Sequence, residues 1–189
     1  MKARLVTNRI ILREFEEDDW RGVHEYAQDE RVVYFLNWGP NSEADTKAFV
    51  NRALFHQQEV PRRTYDLIIA LKESGEIIGH GRIQVTYPHY GQGELHCIIG
   101  RKHWGKGFAT EAVGALLSFG FSELKLHRVY AMMDPANSPT ARILEKLGFQ
   151  REGHLRECKW VKGIWRDSLL YALLEDEWRN SNPQYAAGI

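Results

Sequence analysis

The part of the sequence best suited to chemistry is a glycine-rich segment, residues 100 to 107, which reads GRKHWGKG. It matches the P-loop pattern G-x-x-x-x-G-K-[ST], which holds the phosphates of a nucleoside triphosphate, at every position except the last. Gly107 stands where that pattern needs a hydroxyl for magnesium. The segment therefore has three interpretations: a connection that binds nothing, an altered triphosphate loop, or a cradle for a pyrophosphate that needs no metal, as in coenzyme A.

The surroundings of this segment favour an anion site. It follows a predicted strand and leads into a helix that begins after Gly107, and a helix N-terminus combines free backbone N–H groups with a favourable dipole. The apolar run from Val129 to Asp134 imitates the magnesium-binding strand of P-loop proteins. The preceding strands, however, have connections too short for crossover helices, whereas a P-loop fold needs parallel strands. This disfavours the triphosphate interpretation.

Hydrophobic periodicity and turn signals predict one α/β domain over residues 1–178, with a frayed tail at 179–189. Strands are predicted at 9–13, 64–72, 76–87, 93–100, 127–133, 150–161 and 164–174. Helices are predicted at 18–27, at 43–59 after a Ser42 cap, over about 14 residues after Gly107, and at 138–147 before Gly148. The order predicts a mixed, mostly antiparallel sheet with helices on both faces. Strands 93–100 and 127–133 form the parallel pair, because a helix joins them.

Composition narrows the class of protein. The 189 residues carry 25 Lys plus Arg against 25 Asp plus Glu, which argues against a general nucleic-acid binder. Cys97 and Cys158 are too few for a disulfide framework and lack metal-ligand spacing, so no metal is expected. No apolar run is long enough to predict a membrane span, and the opening MKARLVTNRI lacks the apolar run of a signal peptide. We expect a cytoplasmic protein.

Two segments of the sequence together carry a family resemblance: WGKGFATEA at residues 104–112 and NSPTARILEKLGF at residues 137–149. Together they resemble the GNAT superfamily of acetyl-CoA-dependent N-acetyltransferases. The segments IILREFEEDDW, ESGEIIGHGRI and WRDSLLYALLEDEW extend the resemblance to residues 7–178, and look like the branch that acetylates the N-termini of ribosomal proteins. The superfamily loop reads [QR]-x-x-G-x-[GA]. Gly107 and Ala109 fill its last two fixed positions, but Trp104 stands in place of Gln or Arg and could add an aromatic wall.

The resemblance implies a GNAT-like fold, acetyl-CoA as cosubstrate, and roles for particular residues. Ile98 and Ile99 would run beside the pantetheine arm, and Asn137 would hydrogen-bond its end. The pyrophosphate would be held by the residues next to Trp104, namely Gly105, Lys106, Gly107, Phe108, Ala109 and Thr110. Asn137 could instead cap a helix, although Ser138 could do that. Arg142 could reach the adenosine phosphates or simply face solvent.

Acetyl transfer needs a neutral amine and a proton for the departing thiolate. An α-amine, with a pKa of about 7.7–8.0, needs less help at neutral pH than a lysine amine at about 10.4. Glu94 is assigned as base or as anchor for the ammonium group, with His96, on the same face of the strand, as a second base candidate. The position of the superfamily's tyrosine acid is Leu144, so Thr140 is expected to donate a hydrogen bond to the thiol instead. Tyr171 is expected mainly in the core.

Three functions remain open at this point. They are acetylation of a protein N-terminal α-amine, acetylation of a small amine such as an antibiotic, polyamine or amino acid, and acetyl-CoA binding without catalysis. The protein would be a monomer or a homodimer. Candidate acceptor-side residues are Trp38, Trp160, Trp165, His24, Tyr34, Arg62 and Arg63.

Overall fold

The computed structural model describes residues 3–182. Eight strands form one sheet in the order β1-β2-β3-β4-β5-β6-β8-β7. The strands are β1 Arg4–Val6, β2 Ile10–Glu14, β3 Thr64–Leu71, β4 Ile77–Tyr87, β5 Gln92–Ile99, β6 Arg128–Met133, β7 Gln150–Val161 and β8 Ile164–Leu174. The helices are α1 Trp20–Ala27, α2 Glu43–His56, α3 Phe108–Ser122, α4 Ser138–Lys146 and α5 Glu175–Ser181.

Neighbouring strands are antiparallel except for β5 and β6. These two are parallel because helix α3 lies between them in sequence and returns the chain to the end of the sheet at which β5 begins. The structure confirms the predicted mixed α/β fold, with a mostly antiparallel sheet and one parallel pair. The sheet is the frame on which the glycine-rich segment and the start of α4 come together.

Helices cover both faces of the sheet, as predicted, and β3 shows how the sequence arranges this. Alternate residues of a strand point to opposite faces. Leu67 and Ile69 join the larger core, which contains Leu116 of α3, whereas Ile68 packs in a second core with Val50 of α2. A nearly continuous apolar strand is therefore what a sheet buried on both sides requires.

The parallel pair β5–β6 is short, and this creates the main opening in the fold. The two strands pair only from Gln92 to Glu94, opposite Arg128 to Tyr130. Beyond Glu94, β5 continues beside β4 as far as Ile99, whereas β6 keeps only its pairing with β8 on its other edge. The edge of β5 from Leu95 onward therefore has no strand partner on the β6 side, and a slot opens there.

Two elements were missing from the sequence-based prediction. Strand β1 precedes the expected first strand, and its three residues are too few and too exposed to show a period. Helix α5 follows β8, and its last residues extend into the 179–189 tail that was expected to fray. It begins with three acidic residues, a favourable helix start, and the side chain of Glu177 accepts a hydrogen bond from the Leu174 N–H at 2.9 Å. The helix reaches Ser181, and residues 183–189 of the predicted frayed tail lie outside the described residues.

Two glycines of the fold differ sharply in the space around them. A Cβ on Gly79 of β4 would lie 2.0 Å from the carbonyl oxygen of Ile98, whereas one on Gly114 of α3 would meet only Trp178, at 3.9 Å. We expect Gly79→Ala to lower the free energy of unfolding by about 3 kcal/mol, because backbone has to move. Gly114→Ala should be neutral or stabilising by up to about 1 kcal/mol, since alanine favours helix. Urea denaturation of both variants checks this, and equal effects would contradict the close approach of β4 and β5.

Candidate active site

The slot between the diverging strands is the large cavity of the described structure, about 970 Å³ in volume. Its walls come from β4, β5, α2, the loop at residues 35–41, the start of α4 and the β7–β8 hairpin. Of the predicted site residues, it brings together Glu94, His96, Ile98, Ala109, Asn137 and Thr140. Lys162, at the hairpin tip, donates to the Val33 carbonyl at 2.8 Å and so connects the hairpin to the chain before the 35–41 loop.

The glycine-rich segment forms the N-terminus of α3 beside this slot. Gly105 and Gly107 have φ values of 73° and 81°, a left-handed conformation that suits glycine. The first helical N–H with an intrahelical partner belongs to Glu111, which donates to the Gly107 carbonyl at 3.1 Å. The N–H groups of Phe108, Ala109 and Thr110 therefore have no intrahelical acceptor. Such an end can hold a pyrophosphate through the backbone alone.

Arg9 holds this segment in place, although no local sequence pattern points to this role. Its guanidinium donates to the Lys106 carbonyl at 2.8 Å, pairs with the Glu111 carboxylate at 2.7 Å, and lies 4.5 Å from the centre of the Phe108 ring. Glu111 also accepts hydrogen bonds from the Thr7 hydroxyl and from the Arg9 backbone. Burial opposes ionisation of Glu111, but these hydrogen bonds together hold its pKa below the ordinary value. The β1–β2 turn thus fixes the start of α3.

Trp104 connects the same segment to β5. Its indole N–H donates to the carbonyl of Ile99 at 2.6 Å, while 49% of the residue remains exposed. Ile98 lines the slot, whereas the side chain of Ile99 is buried in the larger core. The Ile98 carbonyl faces Gly79 of β4, and the Ile99 carbonyl, on the open edge of β5, accepts from Trp104. The pairing of these two residues with pantetheine amides stays a prediction. The expected aromatic wall at Trp104 therefore has a fixed position next to that edge.

The start of α4 contributes Asn137 and Thr140 to the slot. Asn137 is the N-cap, since its side-chain oxygen accepts from the Thr140 N–H at 3.3 Å. The expectation that Ser138 would supply the cap is therefore wrong, because Ser138 is already the first helical residue. The Asn137 amide nitrogen and the Thr140 hydroxyl make no hydrogen bond within residues 3–182, so both can still donate to a ligand. Arg142 is exposed on α4, outside the slot lining.

Glu94 supplies a negative charge to the wall of the slot, with its side chain 21% exposed. His96 Nε2 lies 3.3 Å from its carboxylate. The hydrogen bond from His96 lowers the pKa of Glu94, burial opposes it, and the charges of Lys159 and Arg82 lower it further. Glu94 is therefore ionised throughout the neutral range, which suits an anchor for a cation better than a strong base.

An aromatic wall closes the slot on the α2 side. His80 packs against Phe49 with ring centres 5.0 Å apart. Its Nδ1 shares a hydrogen bond of 2.9 Å with the Tyr26 hydroxyl. Burial lowers the pKa of His80 to about 4, so its ring is neutral at pH 7. Trp38 stacks on Phe49 and lines the slot, as expected for an acceptor-side residue.

The other candidates from the sequence lie elsewhere. His24 contacts Thr46 of α2, and Arg62 forms a bidentate, mostly buried pair with Glu14. Trp160 and Trp165 contact each other, and both are exposed. Tyr171 is buried and donates to Glu145, which confirms it as a core residue. No group of His, Cys, Asp or Glu that could hold a metal ion occurs among residues 3–182. No helix in that range is long and apolar enough to cross a bilayer.

A family model described as "Acetyltransferase (GNAT) domain" matches residues 9–150 of the chain. The chain belongs to the GNAT acetyltransferase family. It is therefore an acyltransferase that uses acetyl-CoA, and the free edge of β5 and the N–H groups at the start of α3 are suited to that cosubstrate. It is 35% identical to YnaD, an uncharacterized N-acetyltransferase of Bacillus subtilis (strain 168), over 92% of this chain and 98% of that one. A GNAT-family acetyltransferase structure from Bacillus anthracis superposes with a TM-score of 0.82 at 32% identity, covering 92% and 99% of the two chains.

Two more distant GNAT relatives have acceptors in their names. The chain is 28% identical to the [ribosomal protein uS5]-alanine N-acetyltransferase of Escherichia coli (strain K12), over 94% of this chain and 93% of that one. It is 25% identical to the spermidine N(1)-acetyltransferase of Vibrio cholerae, over 93% and 98%. These two relatives act on different kinds of amine, so family membership leaves the acceptor open.

The Arg9–Glu111 pair generates a prediction about acetyl-CoA. Glu111→Gln removes the charge that holds Arg9 against the start of α3, so we expect the KM for acetyl-CoA to rise roughly tenfold with little change in kcat. Initial rates at varied acetyl-CoA provide the measurement. Glu123→Gln, an exposed carboxylate at the other end of α3, is the matched control and should leave KM unchanged. An unchanged KM in Glu111→Gln would show that the loop does not need this pair.

His80 generates a prediction about stability. Its pKa is about 4 in the folded protein against 6.5 for an ordinary histidine. Between these values the unfolded chain binds more protons, so this contribution is complete above pH 6.5 and is lost as the pH falls toward 4. We expect the wild-type chain to lose about 2 kcal/mol of stability from pH 7 to pH 5 on this account.

Replacing the imidazole by a ring that does not titrate isolates that contribution. His80→Phe should lack it, so the difference between the two proteins should shrink or reverse as the pH falls. Urea denaturation at pH 7 and pH 5 measures both. The same pH dependence in wild type and variant would contradict a buried neutral His80.

Proposed function

We propose that this enzyme acetylates protein N-terminal α-amines, in the manner of its ribosomal-protein-acetylating relative. The observation that carries the proposal is the position of Glu94 in the slot wall, 3.3 Å from His96 and close enough to Lys159 and Arg82 for their charges to lower its pKa. A carboxylate that stays ionised is a weak base but a good partner for an ammonium group. An α-amine, with a pKa of about 7.7–8.0, is partly neutral at physiological pH and needs only a weak base or water, unlike an amine near 10.4.

The transfer itself can proceed directly between the two substrates. The neutral amine attacks the thioester carbonyl, the carbon–sulfur bond breaks, the amine loses a proton to water near Glu94 or His96, and the thiolate gains one. Cys97 is the one thiol in the lining of the slot, and burial raises its pKa to about 12. It remains protonated, which makes it unsuited to carry the acetyl group as an enzyme thioester.

Asn137 and Thr140 suit the leaving-group side of this reaction. Both line the slot, and each has a donor that no described residue uses. We assign the Asn137 amide to the end of the pantetheine arm. The Thr140 hydroxyl would donate to the sulfur, whose thiol form has a pKa of about 8.5 and therefore accepts a proton from water without a strong acid.

The second candidate acceptor is a small amine. It is supported by the relative that acetylates spermidine and by the Lys162–Val33 contact, which connects the hairpin to the segment between α1 and α2 on one side of the slot.

We place either reaction in the cytoplasm, where free thiols such as Cys97 and Cys158 persist. Thiol release from acetyl-CoA, measured over peptides with free or blocked N-termini and over polyamines, distinguishes the two acceptors. Turnover only on polyamines would overturn the proposal.

Removing the charge of Glu94 tests its role. We expect Glu94→Gln to lower kcat/KM for a peptide α-amine by roughly 10- to 100-fold, mainly through KM of the acceptor, because the ammonium group loses its partner. The shape of the pH–rate profile between pH 6 and 9 should be unchanged, since Glu94 does not titrate there. Glu152→Gln, on the exposed face of β7 and paired with Arg128, is the control. An unaltered kcat/KM in Glu94→Gln would remove it from the site.

A further inference from the structure

The charged groups that line the slot are unequally matched. Its carboxylates already have protein partners: Asp134 pairs with Arg166 at 2.9 Å, Asp167 with His154 at 2.6 Å, and Glu94 lies 3.3 Å from His96. Asp45 is engaged by Ser42 at the start of α2. Of the four, only Asp134 is paired with a permanently charged side chain, and Glu94 has the longest partner distance.

The cationic groups of the same slot are less completely paired. Lys159 and Arg52 line it and make no hydrogen bond or ion pair within residues 3–182. Arg166 is 18% exposed, and one of its nitrogens binds Asp134, but its Nε is buried without any acceptor. A buried donor left unpaired costs free energy, and in native structures it commonly marks a position that a ligand or water fills.

Two of these cations lie directly opposite each other. Lys159 of β7 and Arg166 of β8 are register partners in the antiparallel hairpin. Side chains at such positions are on the same face with Cβ atoms about 4.5–5.5 Å apart, and like charges there are destabilising. The negative charge of Asp134 offsets the positive charge of Arg166 but leaves that of Lys159 without an ion pair. An anion between the two heads would remove the repulsion and also give the buried Nε of Arg166 an acceptor.

These cations lie near the group that holds the amine. The positive charge of Lys159 lowers the pKa of Glu94, and both line the same slot. A single small molecule or chain end could therefore contact Glu94 with a positive group and Lys159 with a negative one. A polyamine has no negative group, and the slot's carboxylates other than Glu94 are already used.

From this arrangement we propose that the acceptor is a primary amine bearing an anionic group close to the amine. Its ammonium binds Glu94 and its anionic group binds between Lys159 and Arg166. The proposal rests on the proposed function and narrows it to acceptors such as a peptide with an acidic second residue or a short peptide with a free carboxylate. It also sets this chain apart from the polyamine acetyltransferase among its relatives.

Matched acceptors test the charge alone. The dipeptide amides Ala-Asp-NH₂ and Ala-Asn-NH₂ have nearly the same size and the same α-amine, as do Ala-Ala and Ala-Ala-NH₂. We expect the anionic member of at least one pair to show a kcat/KM about tenfold higher. Preference within the first pair assigns the anion to the second residue, and preference within the second pair assigns it to the chain's carboxyl end. Equal rates within both pairs, or a preference for spermidine, would overturn the proposal.

Binding provides a readout that does not depend on turnover. Calorimetric titration of the CoA-loaded protein should show about tenfold tighter binding of the anionic dipeptide than of its neutral match. If no acceptor turns over while this preference in binding holds, the proposed function fails and the anion site stands. If α-amines turn over without any preference for the anionic partner, the proposed function stands and the anion site fails.

Charge reversal links the preference to the hairpin. Lys159→Glu should abolish the preference for Ala-Asp-NH₂ and favour Ala-Lys-NH₂ instead, and Lys159→Gln should reduce the first without creating the second. Lys125→Glu, in the turn between α3 and β6 and outside the slot, carries the same change in net charge and controls for the overall field. Because Lys159 makes no hydrogen bond or ion pair within residues 3–182, both variants should fold, which thermal denaturation checks. A preference equal in Lys159→Glu and Lys125→Glu would contradict the assignment.

Discussion

The structure depends on the early separation of two parallel strands. Strands β5 and β6 pair over three residues and then diverge, with β5 still paired with β4 and β6 still paired with β8 on their outer edges. Backbone N–H and C=O groups on the open edge of β5 need partners, and no strand supplies them. The fold thus leaves a row of hydrogen-bonding groups facing a cavity, next to a helix whose first N–H groups are also free. An extended molecule with amides along its length and phosphates at one end matches both features at once, as acetyl-CoA does.

Around this opening, the environment sets the charge of each nearby group. Glu94 is kept ionised by His96 and by neighbouring cations, Cys97 is kept protonated by burial, and His80 is kept neutral by its aromatic surroundings. In the direct transfer that we propose, these charge states would provide an anchor for the ammonium group, no competing thiolate nucleophile, and no fixed charge on the aromatic wall. The chemistry therefore depends less on one strong acid or base than on a slot in which few groups change charge near pH 7.

Local patterns in the sequence were sufficient for most of the fold and for part of the site. The apolar period of α3, the Ser42 capping box and the Gly148 helix end are encoded by neighbouring residues, and the structure has all three. The parallel pair followed from connection lengths. Strand β1 was missed because a three-residue edge strand gains its order from its partner, β2, rather than from its own pattern.

The parts of the site that the sequence did not predict depend on residues far apart in the chain. Arg9 and Glu111 are 102 residues apart, and their pairing fixes the loop only because β2 lies beside the start of α3. Lys159 and Arg166 belong to no sequence motif. That they lie opposite each other follows only from the hairpin register, which shifts between Leu155 and Lys159. The choice of Asn137 over Ser138 as cap depends on where α4 begins, a boundary that propensity determines only to within a residue or two.

Trp104 shows how a departure from the family pattern can be compensated within the structure. The usual Gln or Arg of the resembling loop would leave a polar side chain at this position, whereas the indole N–H here binds the Ile99 carbonyl. One acceptor of the open edge is thereby satisfied by the protein itself, and the loop is joined to β5 at one end as Arg9 joins it to the β1–β2 turn at the other. Two attachments from different parts of the sheet hold the glycines in place without a side chain that contacts the phosphates. A pyrophosphate bound by the backbone alone would need no charged residue at the first position of the motif.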